Sequence, residues 1–419
     1  MGVALTESRL SGTTWPEAAQ SYPANLVPQP AGEFGSSTGW NSFPGLTIDT
    51  VDGVARWNGT STGTSVMAIN MVTPAVLGRE YGILEGIKIQ TAGNANPRIQ
   101  SPAITTTGSG INTVGHHSRR VAATAEQTQA GMAVTPGANL EIDYLRAYDL
   151  TQMMTKKWRI VLVYSQSNWV GPGDAADRFT YDLPEPRAIV IPCKENLLRG
   201  VTLDAEGIGV PMILVDPVEY LSGNQGGGPA GAFARTFCDG LRDDEILIYA
   251  ATGYSGGGRL GTGSPDGAWN RDDNGVAWAN LLKQADALVA RAPAGSTVAG
   301  CLFCQGEADL SINAGDTHTL AIRGDFELLR ARYGQFPIVI SEIGRTDRTE
   351  PTVANMVASQ AKLDSNSGDA LSLPLCRYIP RPADSVFVDA SHYDQPTQRI
   401  RGALAATALL ELNYGGAQL

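Results

Sequence analysis

From Lys157 onward one pattern recurs: a short run of apolar, β-branched residues breaks off into polar, glycine-rich sequence, and residues spaced for one helical face follow. The first run, Ile160-Val161-Leu162-Val163-Tyr164, ends in Ser165-Gln166-Ser167-Asn168, with Gly171 and Gly173 close behind. Runs without polar alternation are buried on both faces, as strands of a parallel sheet are. Further runs stand at 188–191, 211–215, 245–250, 297–304, 336–341 and 385–388. Between them Trp278, Leu281, Leu282, Ala285, Leu288 and Val289 share one helical face, as do Leu320, Phe326, Leu329 and Tyr333. The closing "DQPTQRIRGALAATALLEL" sets Pro396 in a first helical turn. Strands alternating with helices predict an α/β domain, a doubly wound parallel sheet with helices on both faces. Such sheets bind ligands at the carboxyl ends of their strands, which is where the polar clusters fall.

The earlier part of the chain has another texture. "YGILEGIKIQ" sets Ile83, Ile87 and Ile89 on one face, and "LEIDYLRAY" alternates Leu140, Ile142 and Tyr144 with Glu141 and Asp143. A period of two between Gly, Asn, Thr and Ser turns predicts an antiparallel β-sandwich, jelly-roll-like. Residues 1–40, rich in Ser, Pro and Gly, read as an extended arm or linker. The expected organisation is therefore an arm over 1–40, a sandwich over 41–152 and an α/β domain over 153–419.

Charge and cysteine usage narrow the partners. A net charge of −11 argues against nucleic acid, whose phosphates demand a basic footprint. No stretch approaches the ~20 apolar residues of a membrane helix. The opening "MGVALTESRL" lacks the basic region and apolar core of a secretory signal, so synthesis in the cytoplasm is expected. Five scattered cysteines suit buried thiols in a reduced compartment. Cys301 and Cys304 form a CxxC on an apparent strand, where odd spacing points them to opposite faces, so no metal and no cofactor is expected.

Histidine is scarce, and that sharpens the search. The chain has 4: His116 and His117 in the sandwich, His318 and His392. A serine nucleophile needs a base near pKa 7, and the base needs an acceptor to hold its ring. In "SVFVDASHYD" Asp389 precedes His392 at D-x-x-H spacing. His318 lies in polar sequence and reads as a surface or helix-capping residue.

The segments "SQSNWVG", "GGGPAGAFAR", "CQGEADL" and "DASHYD" occur in the order, and with roughly the spacing, of SGNH-type hydrolases. They resemble the branch of carbohydrate acetylesterases that includes sialate O-acetylesterase. The resemblance covers about residues 157–419 and none of the N-terminal region. It implies Ser167 as nucleophile, His392 as general base and Asp389 as the residue orienting it. It further implies an oxyanion hole from the backbone N–H of Ser167, that of a glycine within 226–231, of which Gly228 is the choice, and the side chain of Gln305. Glu307 and Asp309 are expected to buttress the loop by accepting backbone N–H bonds, and Asn168 to support the site. Departures are Ser165 for the usual Gly, Trp169 for Met, which would wall the acyl site or stack on a sugar, and Ala308 for Ser. Arg259 and Trp269, in a glycine-rich segment after the 245–250 run, are candidates to hold a sugar or carboxylate.

The expectation is a metal-independent serine esterase removing O-acetyl groups from a polysaccharide or glycan through an acyl-enzyme, with the sandwich as a carbohydrate-binding, positioning or attachment module. The alternative is a spike or fibre protein of a phage or phage-like particle that binds bacterial capsule or O-antigen polysaccharide, with or without esterase activity. On that reading the chain is a homo-oligomer attached to the particle through its N-terminal region.

Overall fold

A computed structural model describes residues 25–27, 46–52, 54–58, 65–100, 105–107, 115–170, 183–192, 208–215, 228–252, 257–260, 269–272 and 275–415. The described residues up to Thr155, with 183–187, form one compact unit; 156–170 and those from Ala188 onward form the other. The division at Thr155/Lys156 falls just past the expected boundary, and no change of texture marks the return of 183–187 to the first unit.

The first unit is built from antiparallel strands β1 (Leu46–Asp49), β2 (Val54–Asn58), β3 (Ser65–Ala75), β4 (Glu80–Ala92), β5 (Ala95–Gln100), β6 (Thr105–Thr107), β7 (Gly115–Ala122), β8 (Gln127–Val134) and β9 (Asn139–Asp149), followed by the short helix α1 (Leu150–Met153). They form a five-stranded sheet, β1-β2-β9-β4-β7, and a four-stranded sheet, β3-β8-β5-β6. Met67, Ile69, Ile99 and Met132 of the smaller sheet share one core with Ile83, Ile87, Leu140 and Ile142 of the larger. Tyr144 departs from the expected period. A bulge at Asp143 shifts the pairing, so Leu145 and Ala147 continue the core while Tyr144 lies opposite Gly86. A Cβ at Gly86 would come within 2.5 Å of the Tyr144 ring, so glycine is required there. Ile89 lies outside the described side chains.

Most of residues 1–40 lies outside the described residues. Asn25–Val27 does not behave as a free arm: Leu26 N–H donates to Ala147 O and Leu26 O accepts from Val72 N–H, with Val27 fully buried. Glu85 of β4 is fully buried and both its carboxylate oxygens lack a hydrogen-bond partner. Burial pushes its carboxyl up to about 8, the nearby Arg119 easing it only in part.

The second unit carries β10 (Lys157–Ser165), α2 (Ser167–Val170), β11 (Ala188–Pro192), β12 (Met212–Ile213), α3 (Ala230–Asp239), β13 (Glu245–Ala251), α4 (Val276–Arg291), β14 (Thr297–Cys304), α5 (Gly315–Tyr333), β15 (Ile338–Ser341), α6 (Pro351–Ala361), β16 (Cys376–Ile379) and α7 (Gln395–Tyr414). The sheet order is β12-β11-β13-β10-β14-β15-β16, parallel except for β12. The strands read as unbroken apolar runs because both faces are covered. Val161 and Val163 pack with Phe233, Phe237, Ala405 and Leu409 of α3 and α7. On the other face Tyr164 meets Trp278 of α4 and Phe326 of α5. Each such Val, Leu or Ile contributes roughly 1.5–3 kcal/mol by leaving water.

One expected strand is absent from this sheet. Residues 385–388 expose Val386 and Val388, and Phe387 makes only an isolated bridge to Tyr393. The last strand is instead Cys376–Ile379, a four-residue edge whose middle residues are only half-buried and whose end is set by Pro380. Val289 and Leu320, placed by periodicity on buried helix faces, are exposed. Cys301 and Cys304 are both buried because β14 is covered on both sides, and burial pushes each thiol up to about 12. No helix among the described residues is long and apolar enough to cross a membrane.

Candidate active site

The connection from β10 runs to β11 on one side and that from its neighbour β14 runs to β15 on the other, so the carboxyl ends of these two strands mark the place where a doubly wound sheet opens a crevice. Gln166 N–H donates to Cys304 O, tying the ends of β10 and β14 together, and Ser167 begins α2 directly afterwards. The first amides of a helix have no intrahelical acceptor, so the backbone N–H of Ser167 is presented at the strand end.

The 380–394 segment brings the base. His392 Nε2 lies 2.8 Å from Ser167 Oγ. Its Nδ1 lies 2.6 Å from Asp389 Oδ2. An ionised carboxylate only accepts, so Nδ1 carries the proton and Nε2 is left to accept from the serine hydroxyl. Asp389 Oδ1 accepts the backbone N–H groups of Ser391, at 2.7 Å, and His392, at 2.9 Å. Burial pushes the Asp389 carboxyl up, but bonds from the His392 ring and these two amides outweigh it and hold the group below its ordinary value. The arrangement contains a hydroxyl, a base aimed at its proton and an anion fixing the base, which suits transfer of an acyl group.

The neighbouring residues divide into braces and core. Glu307 Oε1 accepts from Gly344 N–H and Asn168 Nδ2, both at 3.0 Å. Asp309, fully buried, accepts the backbone N–H groups of Arg259 at 2.8 Å and Leu260 at 3.1 Å. Gly228 is buried immediately ahead of α3. Gln305 differs from its expected part as a donor to an oxyanion. Its Nε2 already donates to Gly257 O and to Asp309 Oδ2, each at 3.1 Å, while its Oε1 lies 2.8 Å from His318 Nε2. Both amide hydrogens are thereby committed inside the protein, which makes Gln305 a brace.

Four further residues differ from expectation. His318 is fully buried on α5 and is no surface residue. Burial pushes it down to about 4, Asp309 opposing and Arg259 reinforcing the shift, so it is neutral at ordinary pH and donates Nε2–H to Gln305. Arg259 is buried and its guanidinium grips the carboxylate of Asp325 through Nε and Nη2, so it offers nothing to a substrate. Trp169 and Trp269 are core residues: Trp169 packs against Phe233 at 6.2 Å between centroids and Trp269 against Tyr164 at 4.4 Å. Among the described residues no three His, Cys, Asp or Glu side chains group as metal ligands.

No family model matches this sequence, and no curated protein does. Among solved structures, a protein from Arabidopsis thaliana is similar at 16% identity and a TM-score of 0.45, over 61% of this chain and 98% of its own. A carbohydrate acetylesterase from Xanthomonas citri aligns at 12% identity and a TM-score of 0.41, over 84% of this chain and 72% of that one. A family two carbohydrate esterase from Clostridium thermocellum, solved with cellohexaose, aligns at 12% identity and a TM-score of 0.34, over 90% of this chain and 99% of that one. Likeness at this level is one of outline, and the chemistry of this chain is read from its own side chains.

Sequence reasoning missed Gln166, Gln398, Arg401 and Gly344. Gln166 Oε1 accepts Gly306 N–H at 3.1 Å and its Nε2 donates to Gly257 O at 2.6 Å, stitching the serine turn to two other segments. Gln398 and Arg401, buried in the first turns of α7, resemble any exposed polar residues when only their letters are read. The one available signal was their position, directly after the D-x-x-H segment.

Proposed function

We propose that this chain is a serine esterase of the SGNH type that removes O-acetyl groups from a polysaccharide or glycan. The observation that carries the reading is the continuous contact from Ser167 Oγ through the His392 ring to Asp389, assembled at the carboxyl end of the central strand. The resemblance of the four sequence segments to carbohydrate acetylesterases supplies the substrate class.

In the proposed cycle Ser167 Oγ attacks the acetyl carbon as its proton passes to His392 Nε2. The tetrahedral oxyanion is received by the backbone N–H groups of Ser167 and Gly228, each such donor being worth about 10²–10³ in rate. Collapse breaks the ester bond, and the proton on His392 goes to the departing sugar hydroxyl. Water then attacks the acetyl-serine, giving its proton to His392, and acetate leaves with Ser167 restored. The sandwich unit, jelly-roll-like, is proposed to hold carbohydrate.

The test is acetate release from O-acetylated polysaccharides by the wild type and by Ser167→Ala. Release by the wild type alone supports the reading. Polysaccharide bound by both proteins without release overturns it in favour of a recognition surface.

A further inference from the structure

We propose that Asn168 is the positioning residue that sets His392 against Ser167; this rests on the esterase reading above. Its side chain is fully buried and makes four hydrogen bonds, which saturate an amide. Nδ2 donates to Ser391 O at 2.9 Å and to Glu307 Oε1 at 3.0 Å. Oδ1 accepts from Tyr393 N–H at 3.3 Å and from Gln398 Nε2 at 3.2 Å. Ser391 and Tyr393 flank His392, so one amide grips the backbone on both sides of the base while its own backbone adjoins the nucleophile.

The amide has only one workable sense. Turned over, it would set NH₂ against the Tyr393 and Gln398 donors and its oxygen against Ser391 O and the Glu307 carboxylate. Gln398 is fixed in the same way, because Arg401 can only donate and its Nη1 points at Gln398 Oε1 from 3.0 Å. Arg401 is in turn anchored by Nη2 to Ser341 Oγ at 2.8 Å and Glu342 O at 2.9 Å, with its guanidinium 4.2 Å from the Tyr393 ring centroid. Donor and acceptor order therefore runs from Arg401 through Gln398 to Asn168 and ends on the peptide groups around His392.

Close packing completes the clamp. A Cβ at Gly344 would stand 2.2 Å from Ser391 O and 2.3 Å from Asn168 Nδ2, so the segments meet only because that position is glycine. The outer side of the histidine loop is open, with Val388 and Asp389 exposed, and Asn168 holds its inner side.

The test uses the full chain, a chromogenic acetate ester and a fluorophosphonate that forms a bond to an activated serine. Misplacing a reacting group by about 1 Å costs roughly 10²-fold. Asn168→Ala is expected to lower kcat about 10²-fold with KM within about threefold. It should take up one phosphonate per chain at a rate reduced by a similar factor, because full stoichiometry separates a slower site from a smaller folded fraction. Gln398→Glu keeps the acceptor for Arg401 but loses the donor to Asn168. It is expected to slow both reactions about tenfold, and it carries the test if Asn168→Ala does not fold. Unchanged kcat and labelling rate in a folded variant overturn the positioning role and leave the esterase reading intact. A wild type that neither turns over the ester nor takes up label overturns both.

Discussion

His392 Nε2 stands 2.8 Å from Ser167 Oγ although 225 positions of chain separate the two residues. The pairing follows from the sheet. Ser167 leaves the central strand, and the histidine loop returns over the same strand end from beyond the edge strand β16. The loop reaches the serine through a D-x-x-H turn whose aspartate binds both its own backbone and the ring.

Asp389 fixes the tautomer of His392, so Asp389→Asn should lower kcat and leave KM nearly unchanged. Loss of a buried orienting aspartate costs about 10⁴-fold in the serine proteases. Here the side chain is 54% exposed, so water takes up part of the role and a loss near 10²-fold is expected. Steady-state kinetics on a chromogenic ester checks this, and a loss below about threefold contradicts it.

Arg259 is a structural cation. Breaking a buried ion pair by removing one partner costs about 3–5 kcal/mol, so Arg259→Ala should lower the urea midpoint sharply while the surviving protein keeps its KM. A raised KM with an unchanged midpoint would return Arg259 to the substrate.

Glu85 predicts a pH dependence in the first unit. Its value is about 8 in the folded chain against 4.5 for the free side chain. Between those values the native state keeps a proton that the unfolded state releases, so stability falls as pH rises from about 4.5 to 8 and then levels off. Glu85→Gln keeps the shape and removes that slope. Urea melts should show the variant more stable than wild type at pH 8.5, by on the order of a few kcal/mol, and nearly equal at pH 4.5. Parallel curves at every pH would contradict the assignment.

Much of the second unit was legible because burial on both faces writes an unbroken apolar run, as in Ile160–Tyr164 and Ile246–Ala250. The contact of Ser167, His392 and Asp389 was legible because so few histidines compete for a place beside a serine. Edge and surface segments were misread: Val386 and Val388 have strand character but face solvent, while Cys376–Ile379 pairs at an edge with its two middle residues half-buried. Buried polar residues were hidden for another reason. His318, Arg259, Gln305 and Asn168 are held by partners far away in the chain, and nothing local in a sequence distinguishes a satisfied buried amide from a wet one.

The role of Ser167 is tested by the initial rate of chromogenic acetate-ester hydrolysis by wild type and Ser167→Ala, matched by circular dichroism. Turnover by the wild type and a loss of at least about 10³-fold in the variant are expected, since removing a triad member leaves only binding and the oxyanion hole. A variant that keeps the wild-type rate would show that the reaction runs without Ser167, and the triad would have no catalytic part in it.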